Sequence, residues 1–134
     1  MLMYVTRERD GRKELLVFDC PSHLHEGTQV PAGRLDDGET LEQGIRREIH
    51  EETGLDRVTV VRRLDWPEGF LAASEYENHA FEVVLDKPAA DHWEHVVLGD
   101  GDDSGLVFFL RWEPLRPELE LWNRLDPLLE QLLP

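Results

Sequence analysis

The sequence predicts an α/β sandwich with a mixed β-sheet, and three observations carry that expectation. Short runs rich in β-branched and aromatic residues recur along the chain, bounded by Gly, Pro or Asp. They are interleaved with two helical patterns, one early and one late. No repeat or linker divides the 134 residues, which fit one domain, residues 1–134, large enough to bury a core without disulfide staples.

The first two strands read from "MLMYVTRE" and "ELLVFD", joined through "RDGRK", where the Asp10-Gly11 pair signals a hairpin turn. Residues 20–33, "CPSHLHEGTQVPAG", carry two Pro and two Gly with little periodicity, and read as a loop with at most a short strand near Val30. A helix follows over residues 40–53. Thr40 with Gln43 three residues on forms a capping box, and Gly54 supplies the C-terminal stop. "RVTVVRRLDW", "NHAFEVVLD" and "GLVFFLRW" read as later strands, with a further short one over residues 69–73. After Pro117, the leucines of "ELELWNRLDPLLEQLLP" fall near helical spacing and predict a C-terminal helix on the sheet, kinked or divided at Pro127.

The early helix carries an electrostatic oddity. At about 100° per residue, Leu41, Ile45 and Ile49 define an apolar stripe facing the sheet, and Glu52 falls inside it, about 20° from Leu41. Glu48 and Glu51 sit at the edge of the same face, whereas Glu42, Arg46 and His50 point away. A solvated charged face is the ordinary reading of such a helix, but here it meets objections. Each acid in the last turn faces the negative end of the helix dipole at a cost of about 0.3–1 kcal/mol, and the acids repel one another at i, i+3 and i, i+4. A half-buried Glu52 adds desolvation cost. Oxygen-rich clusters of this kind are what Mg²⁺ or Mn²⁺ requires.

Composition excludes several classes. The net charge of −15 repels polyanions, so broad binding to long nucleic acid or an anionic membrane surface is not expected. A small phosphorylated ligand remains compatible through a divalent cation. The single cysteine, Cys20, excludes an internal disulfide and suits a reducing compartment. No run approaches the ~20 apolar residues of a membrane span, and the N-terminus lacks a signal-peptide pattern, so a cytoplasmic protein is expected.

Gly33, then Glu39 after five residues, then "REIHEETGL" after seven more, resembles the Nudix box, G-x5-E-x7-R-E-U-x-E-E-x-G-U with U aliphatic, at every defined position. The resemblance implies a single Nudix hydrolase domain of α/β/α sandwich type. Its implied activity is a pyrophosphohydrolase that splits a nucleoside diphosphate linked to another group, with Mg²⁺ or Mn²⁺ as cofactor. Carried over by position, Glu48, Glu51 and Glu52 would be metal ligands, with Glu48 the usual candidate to deprotonate water. Arg47 and Glu39 would orient them. Such enzymes commonly draw a further acid from outside the box, and the long connection between "FEVVLD" and "LVFFLRW" offers Asp91, Glu94, Asp100, Asp102 and Asp103, of which Glu94 and Asp103 are the auxiliary candidates. The alternative is a non-catalytic nucleotide-binding or regulatory module of the same fold, against which three helix-destabilising acids weigh. Homodimerisation is common among such domains.

Weaker signals resolve toward structure. "GDGDDSG" imitates the start of an EF-hand loop, but position twelve is Arg111 and no helices flank it. Cys20, His23, His25 and Glu26 lack a second ligand pair for zinc, and read as a polar loop at the cleft mouth. Trp66, Phe70, Tyr76 and Trp93 suit either base stacking or the core, with the core commoner. Gly33 reads as a turn glycine near the phosphates and Gly54 as the helix cap. Pro67 and Tyr76 lie at the wrong distance from the box for the ADP-ribose and dinucleoside polyphosphate subtypes, so substrate identity stays open.

Overall fold

Asp10 and Gly11 both adopt positive φ, 53° and 76°, as a two-residue hairpin turn requires, and they join β1 (Leu2–Arg9) to β2 (Arg12–Asp19). The computed structural model describes residues 1–66, 79–122 and 126–133; the predicted strand at 69–73, Pro67, Phe70 and Tyr76 lie outside these residues. The other elements are helix α1 (Leu41–Thr53), β3 (Val58–Leu64), β4 (Ala80–Leu85), β5 (His92–Val96) and β6 (Val107–Pro114).

The strands form one sheet in the order β3-β4-β1-β2-β6-β5. β1 pairs parallel to β4 and the other described pairs are antiparallel, so the sheet is mixed as expected. Strand alternation sends Met3, Val5, Leu16 and Phe18 to one face, where Ile45 and Ile49 of α1 pack on them. Each isoleucine is fully buried, and each contributes about 2 kcal/mol of burial. Leu2, Tyr4, Leu15 and Val17 point to the opposite face, under Leu128, Leu129 and Leu132.

That second covering element departs from expectation in kind. It is a 3₁₀ segment, Asp126–Leu132, rather than an α-helix running on from residue 118. Pro127 stands at the second position of this segment, where its missing amide proton leaves no helical bond unmade. The expected short strand near Val30 is reduced to two isolated bridges, Phe18 with Gln29 and Leu2 with Ala32. Within the same loop, Pro21–Glu26 forms a 3₁₀ turn.

The presumed long connection before β6 contains β5, which the residue pattern did not flag. His92–Val96 reads His-Trp-Glu-His-Val, a poor strand pattern, and it is an edge strand because it pairs with β6 at the end of the sheet. Trp93 and His95 turn toward α1 while Glu94 faces the other way.

Candidate active site

The caps of α1 decide where its acids point. Thr40 Oγ1 accepts from the Gln43 amide at 3.2 Å, and Gln43 Oε1 accepts from the Thr40 amide at 2.9 Å, the reciprocal capping box. Gly54 sits at φ 80° and donates its amide proton to the His50 carbonyl, closing the helix in the left-handed conformation. With both ends fixed, Ile45 and Ile49 face the sheet and Glu52, on the same stripe, is only 5% exposed.

Glu52 Oε1 accepts from the Ala32 amide at 2.9 Å, and among the described residues no cationic side chain bonds it. Burial holds its carboxyl well above the usual range. The Ala32 amide opposes that shift, and the charges of Glu48, Asp103 and Glu51 reinforce it. Desolvation also raises Glu48, against the pull of Arg47.

Arg47 organises the remaining acids. Its guanidinium meets Glu39 in bidentate fashion at 2.7 and 2.9 Å. It reaches Glu48 at 2.8 Å and Glu51 at 3.2 Å, and donates to the Arg34 carbonyl at 2.8 Å. A planar five-donor fork is the side chain suited to so many acceptors. The hydrogen bond from Arg47 lowers the Glu39 carboxyl. Arg47 itself is raised by the same bond, so it stays charged.

The acids open onto a cavity of about 500 Å³, lined also by Gln29, Gly33, Arg34 and residues 100–104. Asp103 is at its mouth, as are Asp100 and Asp102. Glu94 is not: it lies on the outward face of β5, away from α1, and the expectation that it joins the cluster is corrected by strand alternation. Asp91 is drawn off to Arg7, 3.0 Å away at the far end of β1.

Two glycines explain themselves by close approach. A Cβ on Gly33 would lie 2.1 Å from Glu48 Cδ, and one on Gly99 2.7 Å from Glu51 Cδ. Gly33 is therefore a space-maker for a carboxylate rather than a turn residue. Sequence reasoning missed Gly99 and Gly44, where a Cβ would meet Leu35 at 2.3 Å. The signal for Gly44 was present, since glycine inside a helix costs about 1 kcal/mol and calls for a packing reason. Asp36, whose carboxylate lies 3.2 Å from Arg47 Nε, was missed as well.

The weaker signals settle structurally. Cys20 is buried, with Sγ 3.6 Å from His23 Nδ1. Trp93 donates to the Thr53 carbonyl at 2.8 Å, and Trp66 packs against the second core cluster. No helix among the described residues is long and apolar enough to cross a membrane.

As the side chains stand, no group of three or more His, Cys, Asp or Glu among the described residues is disposed to hold a metal ion. Arg47 draws Glu48 and Glu51 to itself while Glu52 turns to Ala32. The donor set nonetheless fits a hard divalent cation. It is all carboxylate oxygen, and it includes a buried Glu52 that bonds no cationic side chain among the described residues.

Fold and site together define a small α/β sandwich domain that presents the acidic end of a helix to a cavity. The NUDIX domain model matches residues 2–132, and the chain belongs to that family. A 50-residue stretch is 46% identical to an RNA pyrophosphohydrolase from Wolbachia sp. subsp. Brugia malayi (strain TRS), covering 37% of this chain and 29% of the relative; the match thus spans under a third of that protein. Among solved structures, the NUDIX domain of Shewanella oneidensis NrtR, complexed with ADP ribose, superposes with TM-score 0.60 at 16% identity, over 98% of this chain and 82% of that one. A UDP-X diphosphatase gives TM-score 0.57 at 17% identity, over 98% and 59%. A C. elegans Ap4A hydrolase in a binary complex gives 0.52 at 17%, over 97% and 92%. At these identities the structural likeness establishes the fold.

Proposed function

We propose that the chain is a single-domain, divalent-metal-dependent pyrophosphohydrolase acting on a nucleoside diphosphate linked to another moiety. The observation that carries the reading is Glu52: a buried carboxylate with no cationic partner among the described residues, in a wall shared with Glu48 and Glu51. The single hydrogen bond from the Ala32 amide does not offset the cost of burying that carboxylate.

Glu48, Glu51 and Glu52 are the residues that would hold Mg²⁺ or Mn²⁺, with Asp103 the auxiliary acid at the mouth. When bound, the ion makes water a better nucleophile and offsets charge on the phosphates. Arg47 and Glu39 form the brace that aims Glu48 and Glu51 into the cavity. Glu48, raised by burial, is the side chain suited to accept a proton from the attacking water. Gln29 and Arg34 line the wall where the substrate enters.

The relative named an RNA pyrophosphohydrolase supports phosphoanhydride chemistry. The charge of −15 favours a short nucleotide derivative over a long RNA. Nucleoside triphosphates, dinucleoside polyphosphates, ADP-ribose and nucleotide sugars, each assayed with Mg²⁺ and Mn²⁺, test the reading. At least one is hydrolysed by the wild type, and Glu51→Gln and Glu52→Gln each abolish product formation. Near-normal turnover in both variants overturns the assignment. Thermal stabilisation without product across the panel favours a binding module instead.

A further inference from the structure

The last turn of an α-helix leaves carbonyls without helical partners, and in α1 these lie among the acids of the site. The Glu51 carbonyl is one of them. The amide that would ordinarily serve it, that of Leu55, donates instead to Thr53 Oγ1 at 3.1 Å. Two donors from β5 and the loop after it take its place. His95 Nε2 lies 2.9 Å from the Glu51 carbonyl oxygen, and the Leu98 amide donates to the same oxygen at 2.9 Å. Two positions along the helix, Trp93 Nε1 donates to the Thr53 carbonyl at 2.8 Å.

We propose that His95 is a positioning residue for the acidic turn of α1, clamping the peptide that joins Glu51 to Glu52, while Trp93 holds the peptide that joins Thr53 to Gly54. That carbonyl belongs to the peptide plane between the two acids. Holding it restrains the plane that carries both Cα atoms, and with helical φ and ψ on either side this limits the directions open to both side chains. The clamp therefore orients two carboxylates at once without touching either.

The surroundings are shaped to the clamp. A Cβ on Gly54 would lie 3.2 Å from His95 Nδ1, so the cap glycine also leaves room for the imidazole ring. On the other side, Gly99 follows Leu98 directly and leaves room for the Glu51 carboxylate. Donors at this helix end also soften the negative field that the acids must tolerate. With a carbonyl as its partner, His95 Nε2 is the protonated nitrogen.

The inference rests on the metal-dependent reading of the acidic cluster. The test measures Mn²⁺ affinity by electron paramagnetic resonance without substrate, alongside kcat and KM. The proteins are wild type, His95→Ala, His95→Gln and Trp93→Phe, the last removing one N–H while keeping a large ring. Circular dichroism and thermal unfolding establish that each variant is folded. His95→Ala weakens Mn²⁺ binding by about tenfold and lowers kcat more than it raises KM, in the range found when supports behind metal ligands are removed. Trp93→Phe shifts both in the same direction by a smaller factor, and His95→Gln, which retains a side-chain donor, recovers part of the affinity. Affinity within twofold of wild type in both folded His95→Ala and Trp93→Phe overturns the positioning role alone. Absence of Mn²⁺ binding by the wild type overturns the functional reading and, with it, this one.

Discussion

Replacing Glu52 by Gln separates what this residue does for the fold from what it does for the site. The side chain is 5% exposed, accepts one hydrogen bond from the Ala32 amide and has no cationic partner among the described residues. Gln keeps the shape and the acceptor and removes only the charge. The cost of that charge has a ceiling, because the metal-free protein can always protonate the group instead. From an ordinary carboxyl value of 4.5, protonation at pH 7 costs about 3.4 kcal/mol at 1.36 kcal/mol per unit. The cost lies below that ceiling, and a gain of about 2 kcal/mol for the variant is expected. With an unfolding entropy of about 2.1 cal/mol/K per residue, that raises Tm by about 7 °C. The sign with pH follows from proton uptake. A carboxyl raised in the folded state costs stability above its unfolded value, so the advantage of the variant shrinks as pH falls toward 4. Differential scanning calorimetry in EDTA measures the gain, and adding Mg²⁺ raises Tm in the wild type only. A variant that is less stable than wild type in EDTA, or one that Mg²⁺ stabilises equally, refutes the reasoning.

Three further perturbations address other parts of the same structure. Gly33→Ala places a Cβ 2.1 Å from Glu48 Cδ; the flexible carboxylate moves aside, so stability falls by only about 1 kcal/mol while kcat drops about 100-fold, read by urea unfolding and steady-state kinetics. Arg47→Lys cannot fork between Glu39, Glu48 and Glu51, and lowers activity about tenfold with a loss of about 1 kcal/mol in the EDTA-treated protein. Glu82, 4% exposed, is pushed up by burial, but Lys13 and Arg62 outweigh this and leave its carboxyl lowered. Its stabilisation is therefore complete above pH 4.5 and lost as pH falls through the lowered value, so Glu82→Gln flattens the acid limb of stability between pH 3 and 5 in chemical denaturation.

The parts of this protein that were legible in sequence are those whose signal is local. The capping box of α1, the Asp10-Gly11 turn and the apolar stripe of Ile45 and Ile49 each follow from residues within a few positions of one another, and each stands where expected. The acidic turn was legible for a different reason: carboxylates at a helix C-terminus oppose the fold, and a chain keeps such a conflict where function requires it. What escaped was non-local. β5 carries one β-branched residue at its end and is a strand because β6 offers it a ladder, a fact no window of sequence contains. Glu94 was a candidate ligand while its segment read as a loop, and strand alternation then turned it away. The C-terminal element keeps its leucine spacing against the sheet but is a 3₁₀ segment rather than an α-helix.

Gly33, Gly44 and Gly99 extend that reasoning to the site. Each of the three makes room for a particular side chain, Glu48, Leu35 and Glu51 in turn. A sequence pattern records such a glycine without its reason, because the atom it makes room for belongs to another element. The acidic cluster is therefore held from several directions. Arg47 braces Glu48 and Glu51 from the side, the Ala32 amide holds Glu52, and β5 grips the backbone between Glu51 and Glu52 from beyond the helix end. Mutual repulsion alone would splay such acids apart. Convergence on one cavity comes from restraints supplied by α1 itself, by the loop before it and by β5, and the sheet order that brings β5 beside β6 is what places the last of them.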